Sequence, residues 1–420
     1  MSDTHEPLDD FRQRARRFIR SNLRPSSAES LTRSLRTVRT DEEELAGVAR
    51  DREVQRMLFD AGLAGICVPT EYEGQGLTPA HQRVLNHELI GYEFPAHFQA
   101  PTFSPCMAVL LDLGNEEQKR RHVPAILKGE EIWMQMLSEP SGGSDVAGAL
   151  TSAVRDGDAW VLNGSKIWTT GAWWSDWALC LARTNWDVPK HRGLTVFILP
   201  IDREGVEVHR IEMLNGSREF CQEFLTDVVV PDSDRIGAVD DGWTVGTRWM
   251  FHERMLLNSP LVTLPPGGTG AIGNNSALDV ARAAGTADDP WVRDLVGESR
   301  MLELVGRELG RRIRDGIAAG ALTDQAGAIG RLFTGVSAAR RTTINFEVAG
   351  APGAGPQDDG DPLFESATDF LLRQVSTIGG GTTEMARNVI SERLLGMPRE
   401  QALDRGVPFR DVPRGAAREA

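Results

Sequence analysis

Four stretches combine residue types that do chemistry. Met136–Asp145 (M-L-S-E-P-S-G-G-S-D) passes from apolar residues through Ser138 and a proline stop to two glycines and a Ser-Asp pair. Gly142 and Gly143 let the backbone approach a ligand closely, and free N–H groups beside the Ser144 hydroxyl suit a phosphate or a ring carbonyl. The same composition also makes an ordinary surface turn. Asn163–Ala172 (N-G-S-K-I-W-T-T-G-A) sets Trp168 before two threonines, an aromatic wall and hydroxyl donors for a planar heterocycle; a tryptophan taken singly is as readily core. One β-meander separates the two stretches, so they can face the same side of it, as a ligand site requires.

The third stretch is Gly242–Leu257 (G-W-T-V-G-T-R-W-M-F-H-E-R-M-L-L). At about 100° per residue, Trp243, Gly246, Trp249, Met250, Leu256 and Leu257 fall on one helical arc roughly 140° wide, with Glu253 near its centre. A carboxylate among apolar groups loses hydration, which disfavours its charged form and raises its pKa. That is the tuning a general base needs to take a proton from a weakly acidic C–H. The alternative is a helix-end glutamate paired with Arg254 or another arginine; carboxylates on apolar faces are uncommon, which favours the base. The fourth stretch, Ile378–Arg387 (I-G-G-G-T-T-E-M-A-R), puts three glycines before Thr382 and Thr383 at the start of a helical run, a pattern similar to a helix-N-terminus anion site.

Other chemistries lack their residues. His87-Glu88 and His252-Glu253 have no second histidine at the spacing of a zinc protease, so no H-E-x-x-H exists and no metal site is expected. Neither a G-x-S-x-G elbow nor a G-x-x-x-x-G-K-[ST] loop occurs. A G-x-G-x-x-G at Gly268, Gly270 and Gly273 follows Pro265-Pro266 rather than a strand, so a dinucleotide-binding βαβ unit is not expected there.

The elements that must position these stretches follow from hydrophobic period. From Phe11 to about Glu131 the spacing is helical: Asp51–Gly62 carries Val54, Met57, Leu58 and Ala61 on one side, and Asn115–Gly129 opens on acidic residues and closes on Lys-Gly. From about Ile132 the period becomes that of strands. Asp156-Gly157 and Asn163-Gly164 are two-residue hairpin signals flanking Trp160–Leu162, predicting three short antiparallel strands. Runs at Trp177–Ala182, Leu194–Leu199, Val206–Ile211 and Phe224–Val230 add more, and so many strands suggest a barrel or sandwich. Helical spacing resumes at Gly242 and runs to about Leu395, interrupted by loops at Pro265–Asn275 and Gly350–Pro362. The expected division is an N-terminal helical domain (1–133), a middle β-barrel domain (134–241), a C-terminal helical domain (242–402) and a polar tail (403–420).

Composition agrees with a globular chain. Hydrophobic residues are 40% and charged residues 25% of 420 residues, enough for a sizeable core in two or three domains. The net charge of −14 disfavours a nucleic-acid binder, since phosphate backbones are held by clustered positive charge. Cys67, Cys106, Cys180 and Cys221 lie far apart, so reduced thiols are expected rather than zinc or a disulfide framework. No apolar run nears the roughly 18 residues of a membrane span. The acidic Met1–Asp10 does not read as a signal peptide. A cytoplasmic location is the expectation.

In order, these pieces resemble the acyl-CoA dehydrogenase family of flavoproteins over about Phe11 to Arg399. The matching elements are Gly62-Leu63 through Pro69 with Gly74–Leu77, Gly114–Lys119, Ser138-Glu139-Pro140 with Gly143-Ser144-Asp145, Asn163-Gly164 with Lys166 and Trp168, Val228–Pro231, Gly242-Trp243 and Ile378–Arg387. The resemblance implies an N-terminal helical domain, a middle β-barrel and a C-terminal four-helix bundle. It also implies FAD as cofactor, an acyl-CoA thioester as substrate, a trans-2-enoyl-CoA as product, electron-transfer flavoprotein as acceptor, and a homo- or heterotetramer.

Position by position, Leu137, Ser138 and Ser144 match the loop at the flavin ring and phosphates, Ser144 also serving the substrate. Trp168 and Thr170 match the pair beside the isoalloxazine. Thr382 and Glu384 match positions at the adenine end of FAD. Glu347, Gly350 and Gly353 match a Q-x-x-G-G-x-G segment that serves FAD across a subunit boundary, and Arg282 matches the E-R-x-x-F-G arginine. The chain departs from the pattern in three places: Glu347 is acidic where glutamine is usual, the E-R-x-x-F-G segment is present only as Ala281-Arg282-Ala283-Ala284-Gly285, and the glutamate of the common I-Y-E-G-T base motif is Gly380. Branches resembling isovaleryl- and long-chain dehydrogenases carry the base on the helix immediately before an arginine, which here is Glu253 before Arg254, the latter placed at the substrate. The alternatives are a non-catalytic or half-active subunit of a heterotetramer, and an oxidase-like flavoprotein that passes electrons to oxygen.

Overall fold

The computed structural model describes residues 5–26, 38–265, 276–354, 362–402 and 404–413. The glycine motif at 268–273 and most of the loop after Gly350 lie outside the described residues. The chain forms two compact units: residues up to Thr269 together with those from Ala402 onward, and Gly270–Gln401. Among the described residues no helix is long and apolar enough to cross a membrane.

The first unit begins with helices α1 (Leu8–Asn22), α2 (Asp41–Asp60), α3 (Pro79–Glu88), α4 (Ala108–Leu113) and α5 (Glu116–Leu127). Their ends are written in the sequence. Thr40 and Glu43 form a reciprocal capping box on α2, and Asn115 with Gln118 forms another on α5, each satisfying backbone donors that a helix start leaves orphaned.

Eight strands follow: β1 (Trp133–Met136), β2 (Ser152–Asp156), β3 (Ala159–Thr170), β4 (Trp177–Arg183), β5 (Leu194–Pro200), β6 (Val206–Ile211), β7 (Phe220–Pro231) and β8 (Arg235–Ile236). They pair as one sheet in the order β6-β7-β3-β2-β4-β5-β8, with β1 added parallel to β4. Side-chain alternation explains why β4 and β5 are apolar throughout. Leu179, Leu181, Val196 and Ile198 join Phe11, Leu58, Val123 and the other N-terminal helical residues in one core. Ala178, Cys180, Ala182, Phe197 and Leu199 point the other way, into a second core with Trp160, Leu162, Val228 and Val230. Helix α6 (Gly242–Arg254) packs Val245 and Trp249 into the first of these cores.

Three local expectations change. Asp156-Gly157 is the β2–β3 turn, but Asn163-Gly164 lies inside β3, where the register against β7 slips between Leu162 and Gly164. The pair makes a bulge: Asn163 exchanges hydrogen bonds with Asp227, and a Cβ on Gly164 would stand 2.5 Å from Thr151 Oγ1. Leu256 is not on α6, because the helix ends at Arg254 and Leu256–Asn258 is a separate 3₁₀ turn; the side chain of Leu257 lies outside the described residues. The stretch after 403 is not simply a polar surface tail: Phe409 is buried, and residues 404–413 return to the β portion of the first unit. By packing, helix α6 groups with this unit, because Val245 and Trp249 find their apolar partners there.

The second unit holds α7 (Ala277–Ala283), α8 (Pro290–Ala318), α9 (Gly327–Gly353), α10 (Pro362–Leu372) and the short α11 (Thr383–Val389). Val292 and Leu295 near the start of α8 share a core with Ile344, Val348 and Ala349 near the end of α9, so these two long helices run antiparallel. Ala277, Val280 and Ala281 of α7 and Leu363 of α10 complete that core, and Phe346 stacks on Phe370 at 4.4 Å. This is the helical bundle expected of the C-terminal region.

Candidate active site

β1 is the spine of the site in the first unit. It is clasped by the segment Gln99–Met107: Thr102 Oγ1 donates to Trp133 O (3.0 Å) and accepts from Trp133 N (2.9 Å), and Cys106 Sγ lies 3.5 Å from Met134 O. Ser104 of the same segment donates to His252 O (2.9 Å), satisfying a carbonyl at the C-terminal end of α6. His252 Nε2 in turn lies 2.6 Å from Asp112 Oδ2, which also takes a hydrogen bond from Arg248. The last turn of α6 is thus fixed from two sides.

Glu253 stands in that turn, partly buried. Burial pushes its carboxyl above the ordinary carboxylate range, while the Arg254 charge and a hydrogen bond from Gln135 pull it back. Gln135 is the third residue of β1. Its Oε1 accepts the Trp249 indole N–H (2.6 Å), leaving its amide N–H groups for Glu253. Trp249 is fully buried, so Gln135 links a rigid wall to a carboxylate that would otherwise choose among rotamers. The Cys106 thiol beside it is also pushed up, first by burial and then by the Glu253 charge.

Two residues beyond Gln135, β1 runs into Leu137 and Ser138. Ser138 O accepts Ile167 N (3.0 Å), which joins the start of the glycine loop to the end of β3. Glu139 and Gly142 close a tight turn (2.9 Å), and a Cβ on Gly142 would meet nothing within 4 Å, so the backbone there faces open space. At the end of β3 a second register shift falls between Ile167 and Thr169. Trp168 sits in this bulge with φ 65°, a left-handed conformation rare for a bulky side chain. The residue is 52% exposed, and its ring touches Phe220 edge-on at 6.0 Å. Gly171 follows at φ 70°, and a Cβ there would collide with Trp174 at 2.0 Å. The structure therefore brings Leu137, Ser138, Trp168 and Thr170 together around the end of β1, with Glu253 reached through Gln135 on the same strand.

Behind the Trp168 and Thr170 positions lies a polar cluster whose contacts, and whose member Glu223, sequence reasoning missed. Lys166 is fully buried, and its Nζ donates to Glu139 Oε1 (2.8 Å) and toward Leu137 O (3.4 Å). Glu139 also accepts from the backbone of Leu150 (2.6 Å) and Thr151 (2.9 Å). Burial pushes the Glu139 carboxyl up, but Lys166 and these amides hold it below the usual range. Glu223, the β7 residue opposite Lys166, is fully buried and accepts a hydrogen bond from Thr169. Burial pushes it up to about 7. Lys166 and Glu139 fall in stretches that match the family, whereas Glu223 is signalled by strand alternation alone, as a carboxylate at an inward position of β7.

In the second unit the predicted positions divide into two groups. Thr382 caps α11, accepting from Met385 N (3.1 Å), and Glu384 is bonded by Thr383 (3.1 Å) and by Arg387 (3.4 Å). Thr383 packs beside Gly335, near the start of α9. Glu347, Gly350 and Gly353 lie at the other end of α9, with Glu347 already about 18 Å from Gly335 at the usual helical rise. Gly350 kinks that end (φ 59°, ψ −150°). The two groups are not brought together within this unit. Glu347 is 3.6 Å from Arg340, which is itself held by both oxygens of Glu298 (2.7 Å each). Arg282 is exposed and pairs with its neighbour Asp279 (3.3 Å). Gly380 has φ 71° and supplies no carboxylate.

Comparison with known proteins assigns all three regions of the chain to one family. Residues 5–130 match the acyl-CoA dehydrogenase N-terminal domain, residues 135–228 the middle domain and residues 240–395 the C-terminal domain. The chain is 30% identical over 400 residues to the acyl-CoA dehydrogenase IpdE1 of Mycobacterium tuberculosis, covering 94% of this chain and 99% of that protein. It is 34% identical over 365 residues to acyl-CoA dehydrogenase FadE34 of the same organism, covering 85% of this chain but 47% of that longer protein. Among solved structures it resembles the Tcur3481-Tcur3483 steroid ACAD, at 29% identity, a TM-score of 0.72 and coverage of 95% of this chain and 100% of that one. Three domain matches in order, relatives aligned over almost the whole chain and the helical–sheet–helical fold lead to one conclusion: this chain belongs to the acyl-CoA dehydrogenase family.

Proposed function

We propose that the chain is an FAD-dependent acyl-CoA dehydrogenase in which Glu253 removes the α-proton of an acyl-CoA thioester. The observation that carries this reading is the setting of Glu253: a desolvated carboxylate at the end of α6, held by Gln135 against Trp249. Desolvation makes it a stronger base than a carboxylate in water. The other place in the family for a base is Gly380, which cannot act as one.

The residues around β1 fit a flavin. Trp168 holds a strained backbone and an exposed ring, an arrangement that burial in the core does not explain and that a planar ligand would. Leu137, Ser138, Ser144, Trp168 and Thr170 would hold the ring end of FAD, with Arg282, Thr382 and Glu384 assigned to the remainder. When bound, FAD supplies the two-electron acceptor for the β-hydrogen, and the product is a trans-2-enoyl-CoA. Exposed Arg254 and Ser144 are assigned to the acyl-CoA, and Arg254 also favours the ionised form of Glu253. Electrons then pass to an electron-transfer flavoprotein. The likeness to a structure described as a steroid ACAD supports a polycyclic acyl group. Anaerobic bleaching of the flavin against short, long, branched and polycyclic acyl-CoAs tests this: the polycyclic thioester should bleach fastest. No bleaching by any of them would refute the assignment, and peroxide formed in air would mark an oxidase.

A second reading is favoured by one observation. Glu347 places a negative charge where the family's glutamine serves FAD across a subunit boundary, and Arg340, shared with Glu298, only partly offsets it. A chain that keeps its own flavin end but serves a neighbour's poorly suits a tetramer of two unlike subunits. The resemblance to the ChsE4-ChsE5 complex of Mycobacterium tuberculosis, at 25% identity, also supports pairing. Met301, Leu304, Val305 and Val336 leave apolar surface exposed on α8 and α9, which an oligomer would cover. Size-exclusion chromatography with flavin quantitation separates the readings: a tetramer with one FAD per chain supports identical subunits, and a colourless chain rescued by a partner supports unlike ones.

A further inference from the structure

The C-terminal domain match ends at residue 395, so residues 404–413 lie outside the three family domains. They nevertheless run along the β portion of the first unit. Phe409 N donates to Val188 O (2.9 Å), Arg410 N donates to Trp186 O (3.0 Å), and Pro408 bridges to Pro189. From this segment two separate arms reach the same short loop.

The first arm is aromatic. Phe409, 3% exposed, stacks on Trp186 at 5.6 Å, and the Arg183 guanidinium lies over its ring at 3.6 Å. Arg183 is fully buried and donates to Ala147 O (2.6 Å) and Ala149 O (3.0 Å), the carbonyls just after Ser144-Asp145. A guanidinium sandwiched between a ring face and carbonyls has its donors aimed by the ring. The second arm is ionic. Lys190 Nζ lies 2.6 Å from Asp404 Oδ2 and 2.9 Å from Asp145 Oδ2, so one ammonium ties the segment to the residue after Ser144. Gly148 N donates to Asp145 O (2.8 Å), which makes Asp145–Ala149 one turn gripped at both ends.

We infer that Asp404–Val412 is a strap that positions the Ser144–Ala149 loop through Lys190 and Arg183. Flavin affinity then depends on residues beyond the family's C-terminal domain. The second statement rests on the reading of Ser144 as an FAD contact; the first does not. Lys190, Arg183 and Phe409 are positioning residues, since none of them is assigned to the cofactor itself.

The test uses the full chain with Asp404→Asn and Phe409→Leu combined. Leucine keeps the apolar burial and removes the ring face, and asparagine keeps the shape and removes the charge. Hydrogen–deuterium exchange at the Asp145–Ala149 amides should quicken by about tenfold, and the FAD dissociation constant should rise by about tenfold, the combined weight of one cation–π contact and one partly exposed ion pair. Phe409→Tyr alone, which retains the ring, should exchange like the parent. Unchanged exchange in the double variant would overturn the strap. Faster exchange with unchanged FAD affinity would overturn its link to the cofactor. A parent chain that binds no FAD would instead overturn the flavin reading, with the exchange data still deciding the strap.

Discussion

Gln135→Leu isolates what positions the base. Leucine fits the space but neither accepts the Trp249 indole N–H, now bonded at 2.6 Å, nor donates to Glu253. Two effects follow, and they are separable. An orphaned buried indole costs about 1–3 kcal/mol of stability, read as a lower denaturation midpoint. Losing a hydrogen bond to the ionised carboxylate disfavours the charged form, so the acid limb of kcat/KM should move upward in pH. The sign is fixed: the bond favours the carboxylate, so its removal makes protonation easier, and activity falls most on the acidic side while the alkaline plateau is kept. The assay is kcat/KM against pH with the best acyl-CoA. A uniform loss at every pH would refute the reasoning, because it would show that Gln135 acts on packing and not on Glu253.

Further outcomes follow from the buried polar cluster and the exposed tryptophan. Glu223, pushed from 4.5 to about 7, costs about 3 kcal/mol to charge in the fold. Glu223→Gln should therefore stabilise the protein at pH 8, with the gain fading as pH falls from about 7 toward 4.5, measured by denaturant unfolding across that range. Lys166→Met leaves Glu139 buried without its cation and should cost about 3–5 kcal/mol, with Lys166→Met/Glu139→Gln recovering much of it. Trp168→Ala should leave stability within about 0.5 kcal/mol, since the ring is exposed, yet weaken FAD binding by about fivefold, followed by flavin fluorescence titration.

Much of the fold was legible because its period changes twice along the chain. The helical, sheet and helical regions follow from spacing alone, and Val206–Ile211 coincides with its predicted run. Glu253 was legible too, as a carboxylate on an apolar arc, although the arc borrowed Leu256 from beyond the helix. The first stop signal after Arg254 is Asn258-Ser259-Pro260, six residues beyond the helix end at the proline, so the sequence does not announce that end. Asn163-Gly164 misleads for a different reason: a bulge and a two-residue turn ask for the same residues, and only the partner strand distinguishes them. Gln135, Lys166 and Glu223 are polar residues inside strands, and what they touch is decided by register across the sheet. Phe409 sits in an arginine-rich stretch whose local composition reads as surface, while its burial depends on Arg183 and Trp186 more than 200 residues earlier.

The central claim is that Glu253 takes the proton. Its most direct measurement is anaerobic reduction of the protein-bound flavin by an acyl-CoA, followed at the flavin absorbance band, in the parent and in Glu253→Gln. Glutamine keeps the shape and the contact with Gln135, so FAD should remain bound while the bleaching rate falls by a factor of about a thousand or more, within the range a positioned general base supplies. Bleaching of Glu253→Gln at the parent's rate would contradict the account.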